Sequence, residues 1–212
     1  MIKPWSTWYA DMLPHLPECP YPLLDFEALR AAQTFFERTR AWQEFLPLIP
    51  VAAGQSSVTI TPADATANLV RIEQAWYDSK PMGSVTSGEL DSSYADDWTL
   101  HTGTPQEWYG LRFAVVGLYP LPMVTATIGL RCRVSLKPGD TATGLEESLN
   151  QHYRQALVDG AVGALMAYPN KPWSNNLAAL RLAKFEQAIG DAQSDVTRSF
   201  GAARLPARVR WC

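Results

Sequence analysis

Cys19 lies a few residues after His15, the closest approach of a thiol and an imidazole along the chain. A cysteine nucleophile needs such a base and an electropositive setting that favours the thiolate. Pro14, Pro17 and Pro20 surround this pair, and a proline-rich turn explains the proximity without chemistry. His101 and His152 fall on two other predicted elements, so the histidines do not converge in sequence. Two carboxylate pairs, Asp96-Asp97 and Glu146-Glu147, have the composition of a glycoside-cleaving site. Adjacent side chains point to opposite faces of a strand, however, or diverge by about 100° on a helix, so solvated faces and helix-start charges account for them better. Cys19, Cys132 and Cys212 are far apart and lack metal-ligand spacing, and no HExxH, GxSxG or P-loop pattern occurs. The residues give no positive reason to expect an enzyme, a cofactor or a metal.

The elements that would position these residues are readable from hydrophobic spacing. Trp5, Trp8, Met12 and Leu16 predict the apolar side of a short helix closed by prolines. Residues 22–43 predict a helix, with Pro22 in its first turn and Phe26, Leu29, Ala32 and Phe36 as its apolar seam. Short strands are expected at 46–52, 56–61, 67–77, 106–110, 112–118 and 123–136. Along the last of these Val124, Ala126, Ile128, Leu130, Cys132, Val134 and Leu136 share one face. Residues 84–95 suggest a short helix capped by Ser84. A long helix is expected from Leu145 to Tyr168, then a second one capped by Ser174. The seam of that second helix, Ala178, Leu182, Phe185, Ile189, Ala192 and Val196, suits antiparallel packing on the first. The layout is α+β: an N-terminal helix, a β-rich middle of short antiparallel strands, a C-terminal helical hairpin and an extended tail. The divisions fall at 1–45 and 145–201 for the helical part, 46–144 for the β-rich part and 202–212 for the tail.

The chain has 212 residues with a net charge of −3, too acidic overall for binding nucleic acid through phosphate neutralisation. No apolar run approaches 20 residues, and Met1-Ile2-Lys3-Pro4-Trp5 does not open a signal peptide, so neither a membrane helix nor secretion is expected. Eight tryptophans are present. Each one singly suits a core; together they suggest surfaces made for contact. After Asp195 come Arg198, Arg204, Arg208 and Arg210 with no acidic residue. In the tail, Leu205, Val209 and Trp211 add apolar anchors, which reads as an arm that docks on a partner.

Several segments in order carry a family resemblance. They are Leu13-Pro14-His15-Leu16-Pro17-Glu18-Cys19-Pro20 ahead of the helix around Ala28–Trp42, then Gly103-Thr104-Pro105-Gln106-Glu107-Trp108-Tyr109, then Pro169-Asn170-Lys171-Pro172-Trp173-Ser174 before Phe185-Glu186. Together they resemble the head-to-tail adaptor (portal adaptor or connector) proteins of short-tailed phages, and the layout is also similar to tail tubular protein A. The resemblance implies a non-enzymatic virion protein at the head–tail junction: a ring, a dodecamer, seated between the portal protein and the tail nozzle or tail tube. DNA would pass through its lumen without specific binding. It implies a portal-docking arm carrying Arg204, Leu205, Arg208, Val209, Arg210 and Trp211. Trp5, Trp8, Trp42 and Trp173 are the candidates for contacts between subunits. Two other classes stay open. A host-surface or glycan-binding module would show exposed aromatics on the β-rich middle, and a virion-associated cell-wall hydrolase would show convergent carboxylates in a cleft.

Overall fold

Trp5, Trp8, Met12 and Leu16 do share a face, and all four are buried. In the computed structural model, which describes residues 1–94 and 97–200, they lie on a run of short helical turns, including α1 (Tyr9–Met12). The chain forms two compact units, Met1–Trp42 with the chain from Pro138 onward, and Gln43–Lys137.

The first unit is helical. α2 (Tyr21–Thr39) has its proline in the first turn as expected, but it ends at Arg40, whose left-handed backbone (φ 54°) stops the helix short of residue 43. Its buried face is carried by Leu24, Ala28, Ala32, Phe35 and Phe36, whereas Phe26, assigned to the seam by spacing, is 53% exposed. α4 (Glu147–Met166) and α5 (Ala178–Phe200) form the C-terminal helical pair. The α5 seam is as the spacing predicts, with Phe185, Ile189 and Ala192 buried. Gly160 and Gly163 of α4 lie under Phe185 and Leu182: a Cβ on Gly160 would stand 2.8 Å from the Phe185 ring. The missing side chains let the helices approach closely. Ser174 does not cap α5; the helix starts later, and the Asn175 side chain accepts from the Leu177 N–H at 3.0 Å. β1 (Ile2–Pro4) pairs antiparallel with β12 (Gly144–Glu146), which leads into α4.

The second unit holds two four-stranded sheets. One has the order β2 (Gln43–Phe45), β11 (Leu130–Pro138), β4 (Ala67–Tyr77), β5 (Lys80–Pro81). The other has the order β3 (Ser57–Thr59), β9 (Val115–Tyr119), β8 (Glu107–Arg112), β6 (Gly83–Ser84). Pairing is mostly antiparallel, but β6–β8 and the short pair β7 (Thr102–Gly103) with β10 (Leu121–Pro122) are parallel. The predicted strand at 67–77 is present in full. That at 123–136 is half right: Leu130, Cys132, Val134 and Leu136 are completely buried on β11, while Met123, Val124 and Ile128 are exposed in a loop. The strand expected at 46–52 is reduced to a single bridge at Ile49, and pairing with β11 falls earlier, on β2. The short helix α3 (Ser87–Tyr94) is capped by Thr86, not Ser84. The Thr86 hydroxyl accepts from the Glu89 N–H while the Glu89 carboxylate accepts from the Thr86 N–H at 2.7 Å, a capping box. Ser84 is taken up by β6.

The two compact units meet along the chain at 42/43 and 137/138. Strand pairing draws Gln43–Phe45 into the second unit. Gln33 of α2 donates to Pro138 O and to Asp140, which fixes the returning chain to the first.

Candidate docking surfaces

The four tryptophans assigned to subunit contacts are interior residues. Trp5 (4% exposed) donates its indole N–H to Ala142 O at 2.9 Å. Trp8 is fully buried, packs edge-on to Trp5 with ring centres 4.9 Å apart, and donates to the buried Asn150 Oδ1 at 2.5 Å. Trp42 lies edge-on to Phe36, and Trp173 is buried in the turn between α4 and α5. Each indole is largely enclosed by its own chain, although Trp5 also lines a shallow cleft with Phe26 and Leu29. Trp98 is buried too, and Trp76 and Trp108 are half-buried. The arm residues Arg204, Leu205, Arg208, Val209, Arg210 and Trp211 lie outside the described residues.

Among the described residues, the groups considered for catalysis do not converge; Asp96 and Cys212 lie outside them. His15 Nε2 accepts from Arg181 at 2.9 Å, His101 Nδ1 lies 3.0 Å from the Tyr119 hydroxyl, and His152 packs edge-on to Tyr153. Burial pushes the Cys132 thiol up to about 12 and raises that of Cys19, so both are poor nucleophiles at neutral pH. Glu147 pairs with Lys3 at 3.1 Å, whereas Glu146 lies opposite Ile2 on the β1–β12 ladder. Among the described residues no cluster of three or more His, Cys, Asp or Glu is placed to hold a metal ion. No described helix is long and apolar enough to cross a membrane.

Among the described residues, apolar surface is exposed at several places, three of which combine it with a cleft or an ordered turn. In the second unit, a cleft of about 600 Å³ is lined by Phe45, Leu48, Trp76, Ile128 and Arg131. The Arg131 guanidinium sits 4.4 Å over the Phe45 ring, and Phe45 and Trp76 are 5.7 Å apart. One wall is shaped by Asp78, which accepts from the backbone N–H groups of Thr127, Ile128 and Gly129. Those amides hold its carboxyl below the usual aspartate range. The stability they confer is complete above the ordinary aspartate value and is lost as pH falls through the lower folded one. Asp78→Ala is expected to raise hydrogen exchange at Ile128 and Gly129 about tenfold at neutral pH, a loss of roughly one net hydrogen bond. Acidification should lower the protection of the same amides, measured against the intrinsic exchange rate at each pH, in the unmodified chain, and unaltered exchange in the variant would contradict this role.

The second place is the β8–β9 turn, with Leu111 52% and Phe113 74% exposed. The third, in the first unit, is a shallow cleft of about 330 Å³ with Phe26 and Leu29 in its floor and Asp25 and Asp140 at its rim. Sequence reasoning missed these surfaces. A signal existed at the β8–β9 turn, since bulky apolar residues are unusual at a hairpin tip.

The chain belongs to the SU10 adaptor protein family, which it matches over residues 8–210, nearly its whole length. It is thus a phage structural adaptor protein of the head–tail junction. The match supports the adaptor side of the resemblance and not the similarity to tail tubular protein A. No curated protein matches the chain.

Proposed function

We propose that copies of this chain close into a ring, a dodecamer, between the portal protein and the tail nozzle or tail tube, continuing the channel through which DNA leaves the head. The observation that carries the reading is the family match across residues 8–210. Charge is in keeping with it: a net −3 per subunit, repeated around a ring, suits an assembly that does not hold DNA. The partners are proteins, no cofactor is required, and the subunit acts by position rather than by chemistry. The segment 202–212 docks on the portal through its arginines and through Leu205, Val209 and Trp211.

Negative-stain electron microscopy of the protein, alone and mixed with the portal of the same phage, tests the assignment. Rings capping the portal are the expected result; a protein that ignores the portal overturns it and favours a host-surface module. The arm is tested separately. Arg210→Glu with Trp211→Ala is expected to weaken portal capture about tenfold or more, the scale of an interface hot spot, with the subunit still folded. Unchanged capture in a pull-down rules out the arm as the docking element.

A further inference from the structure

The β8–β9 hairpin tip is held in place from both sides. Its ladder runs from Glu107↔Tyr119 to Arg112↔Val115 with an irregularity between Gly110 and Arg112. Ala114 adopts a left-handed backbone (φ 58°), and its carbonyl accepts from the Ile60 N–H at 2.8 Å. The tip therefore presents Leu111, Arg112 and Phe113 as an ordered apolar–basic–apolar triplet. All three are exposed, and Arg112 makes no ion pair among the described residues.

The Phe26 cleft has the opposite character. Asp25 accepts from the Tyr9 hydroxyl at 2.8 Å and Asp140 from Gln33 Nε2 at 2.9 Å, so both rim carboxylates are held in fixed positions. The nearest cation along α2, Arg30, is drawn to Glu27 at 3.7 Å. The floor is Pro22, Phe26, Leu29 and Ala142, and Phe26 is more than half exposed.

We infer that the hairpin tip of one copy enters the Phe26 cleft of a second copy, Phe113 covering Phe26 and Leu29 while Arg112 settles between Asp25 and Asp140. Charge complementarity selects this pairing over the Phe45 cleft, where Arg131 would oppose Arg112. Donor and acceptor are different patches of one chain, so the contact is heterologous and propagates from copy to copy, as a ring requires. A single tip is small beside the ~800 Å² that each partner gives to a standard interface. It acts as a register key within a wider contact.

This inference rests on the ring reading above, and the experiment separates the two. On the full chain, half-assembly concentration is measured by sedimentation, alone and on portal, for Arg112→Glu, Asp140→Arg and the double variant. Each single variant is expected to raise that concentration about tenfold, and the double variant to return it to within threefold of the parent. Phe113→Cys with Phe26→Cys should give an intermolecular disulfide ladder under oxidation, which neither single cysteine gives; this check holds even where a charge variant folds poorly. Normal assembly of Arg112→Glu, or charge effects that add without compensating, would overturn the tip contact and leave the ring standing. A parent chain that forms no ring in either setting overturns both.

Discussion

Trp8→Ala should cost most of the subunit's folding stability, and it should do so in isolated monomers. The indole is completely buried, packs on Trp5, and donates to Asn150, itself only 5% exposed. Truncating a buried Trp to Ala costs about 3–5 kcal/mol through lost transfer energy and the cavity left behind. The Asn150 carbonyl then lacks its donor, for about 1–3 kcal/mol more. Against a total of roughly 5–15 kcal/mol this leaves a marginal protein. The midpoint of thermal unfolding should fall by about 10–20 °C at this chain length. Trp8→Phe, which keeps most of the volume and loses only the donor, should fall by much less. An interface anchor would behave in the opposite way: monomer melting would hold and ring assembly would fail. A Trp8→Ala monomer melting within a few degrees of the parent would thus restore Trp8 as a contact residue.

The tryptophans mark the limit of what residue type reveals. Their number suggests contact surfaces, yet enclosure depends on partners far away in sequence, Trp8 on Asn150 and Trp5 on Ala142. The residues left open are ones that spacing assigned elsewhere, Phe26 to a helix seam and Ile128 to a strand face. Where a local period is strong and the partner is a neighbouring helix, the sequence was enough: the 4, 3 spacing through Phe185, Ile189 and Ala192 gives the buried face of α5. It failed at 123–129, where alternation continues on paper but Asp78, about fifty residues away, captures the amides that a strand would need. The cap of α3 was missed by two residues because Ser84, Thr86 and Ser87 compete at that site.

The enclosed tryptophans also change where partner recognition is sought. In the described residues many of the large apolar side chains facing solvent lie on turns and helix flanks, such as Leu100, Phe113 and Phe26. Scattered exposure of this kind is ordinary on a monomer, so it becomes informative only where charge adds a second requirement. That holds at the Phe26 cleft with its two carboxylates and at the Phe45 cleft with Arg131. In the proposed ring, opposite charges on the two apolar clefts would separate neighbouring copies from portal and tail proteins.

Asp159→Ala is the second change with a large expected effect, and its partner variant decides the cause. Asp159 on α4 is buried and faces the Arg181 guanidinium of α5, whose side chain is only 19% exposed. Gln155 reaches the other Asp159 oxygen at 3.4 Å, and Arg181 also donates to His15. Deleting the carboxylate leaves the cation on the seam between two helices, and breaking a buried pair in this way costs about 3–5 kcal/mol. The loss comes from the stranded charge more than from the pair's own attraction. Asp159→Leu combined with Arg181→Met should therefore recover most of the stability, since a packed apolar pair of similar volume is often neutral or better. Denaturant unfolding of the two single variants and the double measures this as a cycle. A double variant as unstable as the worse single one would mean that the helices need the charge pair itself. Recovery would mean that Phe185, Ile189 and the glycine-lined face of α4 hold the hairpin, with the ion pair fixing only its register.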